Sequence, residues 1–425
     1  MSRAIEKVPL LEGRREWGLF WGIVLLLFSL HLAWEYRGYR EFVSKPFFYT
    51  WGDVFKSIPK SSDRGKYRIL KVRSEGGLVF YTRSYRKASL QGKRVRLQLF
   101  PSERIGFVDY LKGPYIPSRL KAVREDTGRL KQRLSAAISR QHSDPEAAAF
   151  YRAIFLAEPL PPALRQKVAE LGVSHLVALS GFHLGILWGG IFLILLPIYR
   201  FFQRRFFPWR YDLIDLGTLS LLLLAGYLWL TGMPPSLLRS YVMLLLGWGA
   251  VLLGIELVSF SFLAIAGGIL AVMEPALLFS LGFWLSMTGV FFIFLLLKYF
   301  GELPGWSITM IVIPVGIFWL MQPVTHALFP QLSLWQFASP LFSLLFILFY
   351  PLMLFLHWIG MGGMLDEVLS WLWALPGEGT GERMLPLWML GVYGGVALGA
   401  IRYRPLFYAL FLISGAAVFW LYRGA

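Results

Sequence analysis

The chain has no cysteine among its 425 residues. That excludes disulfides, thiolate nucleophiles and cysteine-based zinc sites. Histidine is also scarce. The six, His31, His142, His175, His183, His326 and His357, never approach HExxH or HxH spacing, so no resident metal or other cofactor is expected. Acidic residues number 25 against 42 Lys plus Arg, for a net charge of +17 at pH 7. Charged residues make up only 16% of the chain, while 56% is hydrophobic and 17% aromatic. An ordinary soluble domain does not have that balance.

Long apolar runs are what the chain has instead. Ten lie at about 17–34, 176–199, 213–231, 236–254, 257–273, 277–298, 306–322, 338–358, 386–401 and 405–421, each near the length that crosses hydrocarbon. The expected fold class is a polytopic α-helical membrane protein of about ten spans. Arg3, Lys7, Arg14 and Arg15 precede the first run, which has no small-residue cleavage site. It reads as an uncleaved anchor with a cytoplasmic N-terminus, residues 1–34. The arginine-rich loop at 200–210 then also falls in the cytoplasm. Residues 364–376 are amphipathic and are expected at the membrane interface.

The charge is concentrated. Residues 35–140 hold 25 Lys/Arg against 9 Asp/Glu, an attraction for nucleic acid or anionic lipid. Residues 35–127 contain no spanning run. Strand-like stretches at Lys66–Arg73, Leu78–Arg83, Arg94–Phe100 and Ile105–Tyr110, with a Gly76-Gly77 turn, predict a small extracytoplasmic β-barrel of OB-like form. On it Arg68, Lys71, Arg73, Arg83, Lys93, Arg94 and Arg96 are candidates to follow a phosphate backbone. Phe80, Tyr81 and Tyr85 are candidates to stack on bases. The alternative is a solvated barrel whose aromatics form the core and whose charge meets lipid head groups. Residues 128–170 read as an amphipathic helical linker. In it Ser143-Asp144-Pro145-Glu146 forms a capping box that starts a helix running to about Ala157.

The most informative stretch is LGVSHLVALSGFHLGILWGG, 171–190, which opens the membrane domain, 171–425. Gly181, Gly185 and Gly189 recur every four residues, a strip that lets another helix approach closely. His175 and His183, eight apart, share one broad side of a continuous helix. The Ser180-Gly181 pair is a place where that helix can open. A packing seam and a functional seam both fit these residues. In TGMPPSLLRSYVMLL, 231–245, Pro234-Pro235 breaks the chain. Ser236 then stands near a helix N-terminus, and Arg239 one turn in is placed to face a phosphate or to snorkel. In MEPALLFSLGFWLSMTGV, 273–290, Glu274, Ser280, Gly282 and Ser286 suit close helix contact or a wet seam. Gln322, His326 and Gln331 are further polar candidates.

HLVALSGFHLG closely resembles the His-Leu-Leu-Ala-Ile-Ser-Gly-Leu-His-Val-Gly block of ComEC-type competence (DNA-internalisation) proteins. The 231–245 and 273–290 segments resemble the same family's Pro-Ser-x-x-Arg-Ala and Asp-Pro…Ser-x-Gly-Phe-x-Leu-Ser blocks. Here Ser240 replaces the alanine and Glu274 the aspartate. Ala157-Glu158 stands where Gly-Asp is usual, and the asparagine expected in the 322–345 segment is missing. The resemblance implies an inner-membrane channel that passes single-stranded DNA into the cytoplasm during natural transformation. Its pore would be built from His175, Ser180, Gly181, His183, Gly185, Ser236, Arg239, Glu274 and Ser286. It also implies an OB-type domain at 35–127. Single-stranded DNA and the bilayer are the first partners, followed by a periplasmic DNA-receptor protein, a cytoplasmic helicase or single-stranded-DNA-binding protein, and a separate nuclease. The family's metallo-β-lactamase-like domain is not expected in this chain, and no enzymatic role is expected. Two other readings stay open. One is a secondary transporter for a small anionic solute using the broken helices. The other is an intramembrane enzyme using Ser180 with His175 or His183, although an unbroken helix sets Ser180 about 140° from His175.

Overall fold

The computed structural model describes residues 13–62, 65–86, 88–124, 129–375 and 380–423. They divide into two compact units, one built on Leu11–Leu134 with Gly267–Ser280, the other on Ser135–Ala266 with Leu281–Ala425.

In the first unit a helix over Arg14–Ser44 is almost wholly exposed and leucine-rich, with only Val24 and Phe42 buried. Its far end carries Tyr36, Tyr39 and Phe42, which pack against Phe107 and Tyr110. The Tyr39 hydroxyl donates to the Ile105 carbonyl at 2.8 Å. Beyond it lies an antiparallel sheet of β1 (Phe48–Ser62), β2 (Gly65–Ser74), β3 (Val79–Ser84), β4 (Arg94–Leu99) and β5 (Ser118–Arg124), in the order β3-β2-β1-β4-β5. Period-2 alternation turns Leu70, Val72, Phe80, Val95, Leu97 and Leu99 into one core. The expected closed OB-like barrel is not formed. Among the described residues no ladder joins the edge strands β3 and β5, which meet through a parallel bridge between Tyr81 and Tyr115 and a 2.7 Å contact between the Thr82 and Ser118 hydroxyls.

Two elements differ from expectation. Ile105–Tyr110 is not a strand: a short helix forms over Phe107–Lys112, entered at Gly106 and ended by Gly113 at φ 90°. Left-handed backbone there favours glycine, and a Cβ at 113 would lie 2.9 Å from the Val79 carbonyl oxygen. The central strand β1, by contrast, hid behind Gly52 and Pro59. Pro59 is tolerated because β4 pairs only with Phe48–Asp53, leaving the later half of β1 bonded to β2 alone.

The second unit is helical. Among the described residues eight helices are long and apolar enough to cross a membrane: Arg14–Ser44, Gly181–Phe206, Asp212–Thr231, Pro235–Leu252, Leu281–Phe300, Gly305–Leu328, Leu334–Trp358 and Arg404–Tyr422. The two remaining apolar runs form shorter helices, Phe260–Met273 and Trp388–Ala400, below the ~20 residues a straight span needs. The chain is a multi-pass membrane protein.

One helix of the linker, Pro145–Leu156, is not amphipathic as expected, whereas Pro162–Glu170 buries only Leu164 and Val168, on one side. In the Pro145–Leu156 helix every residue from Ala147 to Tyr151 and from Ala153 to Leu156 is buried. This helix is a hub around which Phe346, Tyr350, Leu369 and Trp373 pack. The 364–376 segment keeps its two-sided pattern: its helix at Asp366–Ala374 turns Asp366, Leu369 and Trp373 inward and leaves Glu367, Val368 and Trp371 exposed. The cap of the hub helix is Asp144 rather than Ser143. Its carboxylate accepts the Glu146 and Ala147 amides at 2.9 and 3.3 Å, with Pro145 in the first turn. Asp144→Ala should cost about 1 kcal/mol of unfolding free energy in micelles and Asp144→Asn much less. Equal losses from both would refute the capping role.

Candidate functional site

The two units each present a candidate surface. On the outward face of the sheet, basic side chains lie over aromatic rings. Arg83 stands 4.3 Å from the Tyr67 ring centre, Arg124 4.7 Å from Trp51, Arg73 5.1 Å from Phe55, Lys71 5.4 Å from Tyr81 and Arg96 5.6 Å from Tyr49. The pairs arise from register. Lys71 faces Tyr81 across β2 and β3, and Trp51 faces Arg96 across β1 and β4, so alternate residues of neighbouring strands share one face.

Of the residues expected there, Lys71, Arg73, Tyr81, Arg83, Arg94 and Arg96 fall on this face. Phe80 does not: it is fully buried in the core, because the neighbour of an outward Tyr81 points inward. Arg68 takes the opposite phase to Lys71 and Arg73, and its Nη1 donates to the Ser57 carbonyl at 3.4 Å. Arg94 is ion-paired with Glu75, which lowers its value to an anion. Lys93 lies in the turn before β4 and is half-buried. Tyr85 is exposed just past β3. Sequence reasoning missed Tyr49, Trp51, Phe55 and Arg124, since neither β1 nor β5 was recognised. The alternation of SRLKAVR was the available signal for β5.

In the helical unit the signature stretch is broken. A one-turn helix over Ser174–Val177 ends, Ala178 and Ser180 are extended, and a new helix starts at Gly181 with Ser180 as its N-cap residue. His175 and His183 therefore lie on separate helices and do not share the side a continuous helix would give them. His183 is fully buried. Its Nδ1 accepts the Ser180 backbone N–H at 3.3 Å, with the Ser180 hydroxyl also at 3.3 Å. Its ring meets Phe346 and Tyr350 edge-on, centres 5.1 and 5.0 Å apart. The Nε2 atom has no hydrogen-bond partner among the described residues. A base whose lone pair is already engaged by a backbone amide, with no carboxylate behind it, is poorly set up to activate Ser180.

His175 is exposed, and its Nε2 lies 3.1 Å from the Ser343 hydroxyl, which itself donates to the Ser339 carbonyl. Gly181 touches the helix that follows Pro234: its Cβ position lies 3.4 Å from the Ser240 hydroxyl oxygen. Ser236 and Arg239 occupy the first turns of that same helix, both half-buried. The glycine strip is not the expected close-packed seam. Gly185 and Gly189 would meet nothing within 4 Å, and the tight crossing is made instead by Gly217 under the Trp248 ring. Ser286 is half-buried on Leu281–Phe300, and Glu274 is exposed and belongs to the other unit. No hydrogen bond among the described residues links either to the seam. Gln322 and His326 are buried on Ile313–Leu328, and Gln331 is half-buried in a short strand. Tyr350 and Tyr227 were not foreseen: Tyr350 packs on His183, and the Tyr227 hydroxyl stands 3.5 Å from that of Tyr350 and donates to the Phe155 carbonyl at 2.9 Å. Tyrosine inside an apolar helix was the signal for both.

Comparison with known proteins gives the family. The chain is similar to the uncharacterized protein YcaI of Escherichia coli, 26% identical over 210 residues, which cover 46% of this chain and 26% of that protein. It is also similar to ComE operon protein 3 of Bacillus subtilis, 32% identical over 119 residues, 28% of this chain and 14% of that protein. No solved structure matches. A family model described as Competence protein matches residues 157–421. That match takes in the broken signature, the Pro234-Pro235 restart and every later helix, well over half the chain, and so the chain belongs to the Competence protein family.

Proposed function

We propose that this protein conducts single-stranded DNA across the bacterial cytoplasmic membrane in natural transformation. The observation that carries the reading is the basic, aromatic-paired face of the sheet. Cations spaced along neighbouring strands suit a phosphate backbone, and the rings among them suit unstacked bases, with no need to recognise sequence. Membership in the Competence protein family, and similarity to ComE operon protein 3, support the same reading. The open sheet would gather the strand on the outer side while the N-terminus stays in the cytoplasm. A periplasmic DNA receptor would deliver the strand, and a cytoplasmic helicase or single-stranded-DNA-binding protein would receive it. A separate nuclease would remove the complement. The passage would use the broken helix at Ser180, with His175, Gly181, His183, Gly185, Ser236, Arg239 and Ser286 as its polar or small members. Attraction there must be shallow and spread over several groups, since one deep site would hold the strand.

His183→Ala and Arg239→Ala test this passage. Each should lower transformation at least a hundredfold while labelled DNA still accumulates outside the cytoplasmic membrane. Unchanged transformation, with both variants expressed at the normal level, would remove the assignment.

A further inference from the structure

A buried row of titratable side chains lies apart from both surfaces, all of it within the helical unit. His142 Nδ1 stands 2.8 Å from Asp366 Oδ1. On its other side, His142 Nε2 stands 3.0 Å from His357 Nε2. His357 Nδ1 stands 2.7 Å from the Met353 carbonyl oxygen. The His142 side chain is fully buried and the Asp366 side chain is 10% exposed. Three contacts of this length each need one hydrogen between the atoms. Two neutral imidazoles and one carboxylate bring only two. Without a third, one of the three contacts is left with a lone pair on both atoms and no hydrogen between them.

We propose that His142, His357 and Asp366 form a binding site for a single proton, shared between the two Nε2 atoms. The resulting imidazolium and the Asp366 carboxylate cancel, which is the condition under which buried charge is tolerated.

The surroundings favour this ligand over a larger one. The Gln141 side chain donates to the His357 carbonyl at 3.0 Å and accepts the Gly362 amide at 2.8 Å. That fastens Gly362 over the pair, where a Cβ would lie 2.6 Å from His357 Nε2. His142, His357 and Asp366 do not make a group able to hold a metal ion, among the described residues. The groups facing the pair are few. His357 comes from the last turn of Ser339–Trp358, Asp366 from the start of Asp366–Ala374, and Tyr151 from the hub helix. The Tyr151 ring lies parallel to His142 with centres 4.7 Å apart. Burial pushes its phenol pKa up, so it stays neutral. Asp144, at the entry to the hub helix, is occupied by the Glu146 and Ala147 amides and by the Ser370 hydroxyl. The proton thus ties the entry of the hub helix to two later helices, and its loss would leave one of the three contacts without a hydrogen.

The test is nitrogen NMR of the full-length protein, labelled with ¹⁵N-histidine and held in detergent micelles. At pH 8 an ordinary histidine is almost wholly neutral. One ring should nevertheless remain cationic, and a direct ¹⁵N–¹⁵N coupling should connect it to a second ring. Both signals should vanish in His357→Gln and persist in His31→Gln, and Asp366→Asn should return the cationic ring to the neutral form. Six neutral rings at pH 8 without such a coupling would overturn the proposal, as would signals that move on adding zinc or a chelator. The wild-type spectrum decides the matter even where a substitution prevents folding.

Discussion

Exchanging Arg73, Arg83 and Arg96 together for glutamate should weaken binding of a single-stranded oligonucleotide about a hundredfold at 0.1 M salt. The estimate follows from counterion release, in which each phosphate contact on a single strand contributes roughly 0.7 to the slope of log affinity against log salt. Three lost contacts reduce that slope by about 2, and the reversed charges add repulsion beyond it. Tyr49→Ala and Trp51→Ala act differently. Each removes a stacking platform worth about 1–3 kcal/mol and should lower affinity at all salt concentrations without changing the slope. Fluorescence anisotropy of the full-length protein in neutral-lipid nanodiscs separates the two classes. An unchanged slope in the triple variant would mean that the phosphates lie elsewhere. A triple variant that instead loses only its binding to anionic vesicles would assign the face to lipid head groups.

That face was partly legible before any fold was known. In β2, β3 and β4 the alternation of apolar with basic residues gave the strands nearly to the residue, because a half-buried sheet stamps its two-residue period on the sequence. The same period shows that Phe80 and Tyr81, as neighbours on one strand, cannot both face outward. Ile105–Tyr110 misled because a six-residue apolar stretch fits strand and helix alike; the glycines at 106 and 113 were the marks of a helix with both ends set. In the membrane unit the motif segments were conspicuous, but their mutual geometry was not. The break at Ala178–Ser180 resets the phase of every side chain after it, so face assignments made on one continuous helix failed for His175 against His183. The row of His142, His357 and Asp366 was beyond reach. Its contacts join positions 215 and 224 residues apart, and no local spacing records such a meeting.

The largest expected loss of stability is at Tyr350. It is fully buried and lies against Phe155, His183 and Phe346, ring centres 5.6, 5.0 and 5.4 Å away. Tyr350→Ala should cost about 3–5 kcal/mol, the range for emptying a packed aromatic site. Part of that cost is lost dispersion against the ring walls, which a bilayer does not replace. Tyr350→Phe should cost under about 1 kcal/mol, because its hydroxyl meets that of Tyr227 only at 3.5 Å, the outer limit of a useful hydrogen bond. Unfolding of both variants in mixed micelles compares them directly. A phenylalanine variant as weak as the alanine one would show that the hydroxyl, and not the ring, secures this core.

The unfilled space over Gly185 and Gly189 makes these two positions attachment points. A side chain placed there displaces no neighbour, so a reporter group would read its surroundings without distorting them. Because the chain contains no native thiol, one engineered at either position would be the sole target for a maleimide dye. The helix just past the break therefore offers a window through which water, lipid or passing cargo beside it can be told apart by colour.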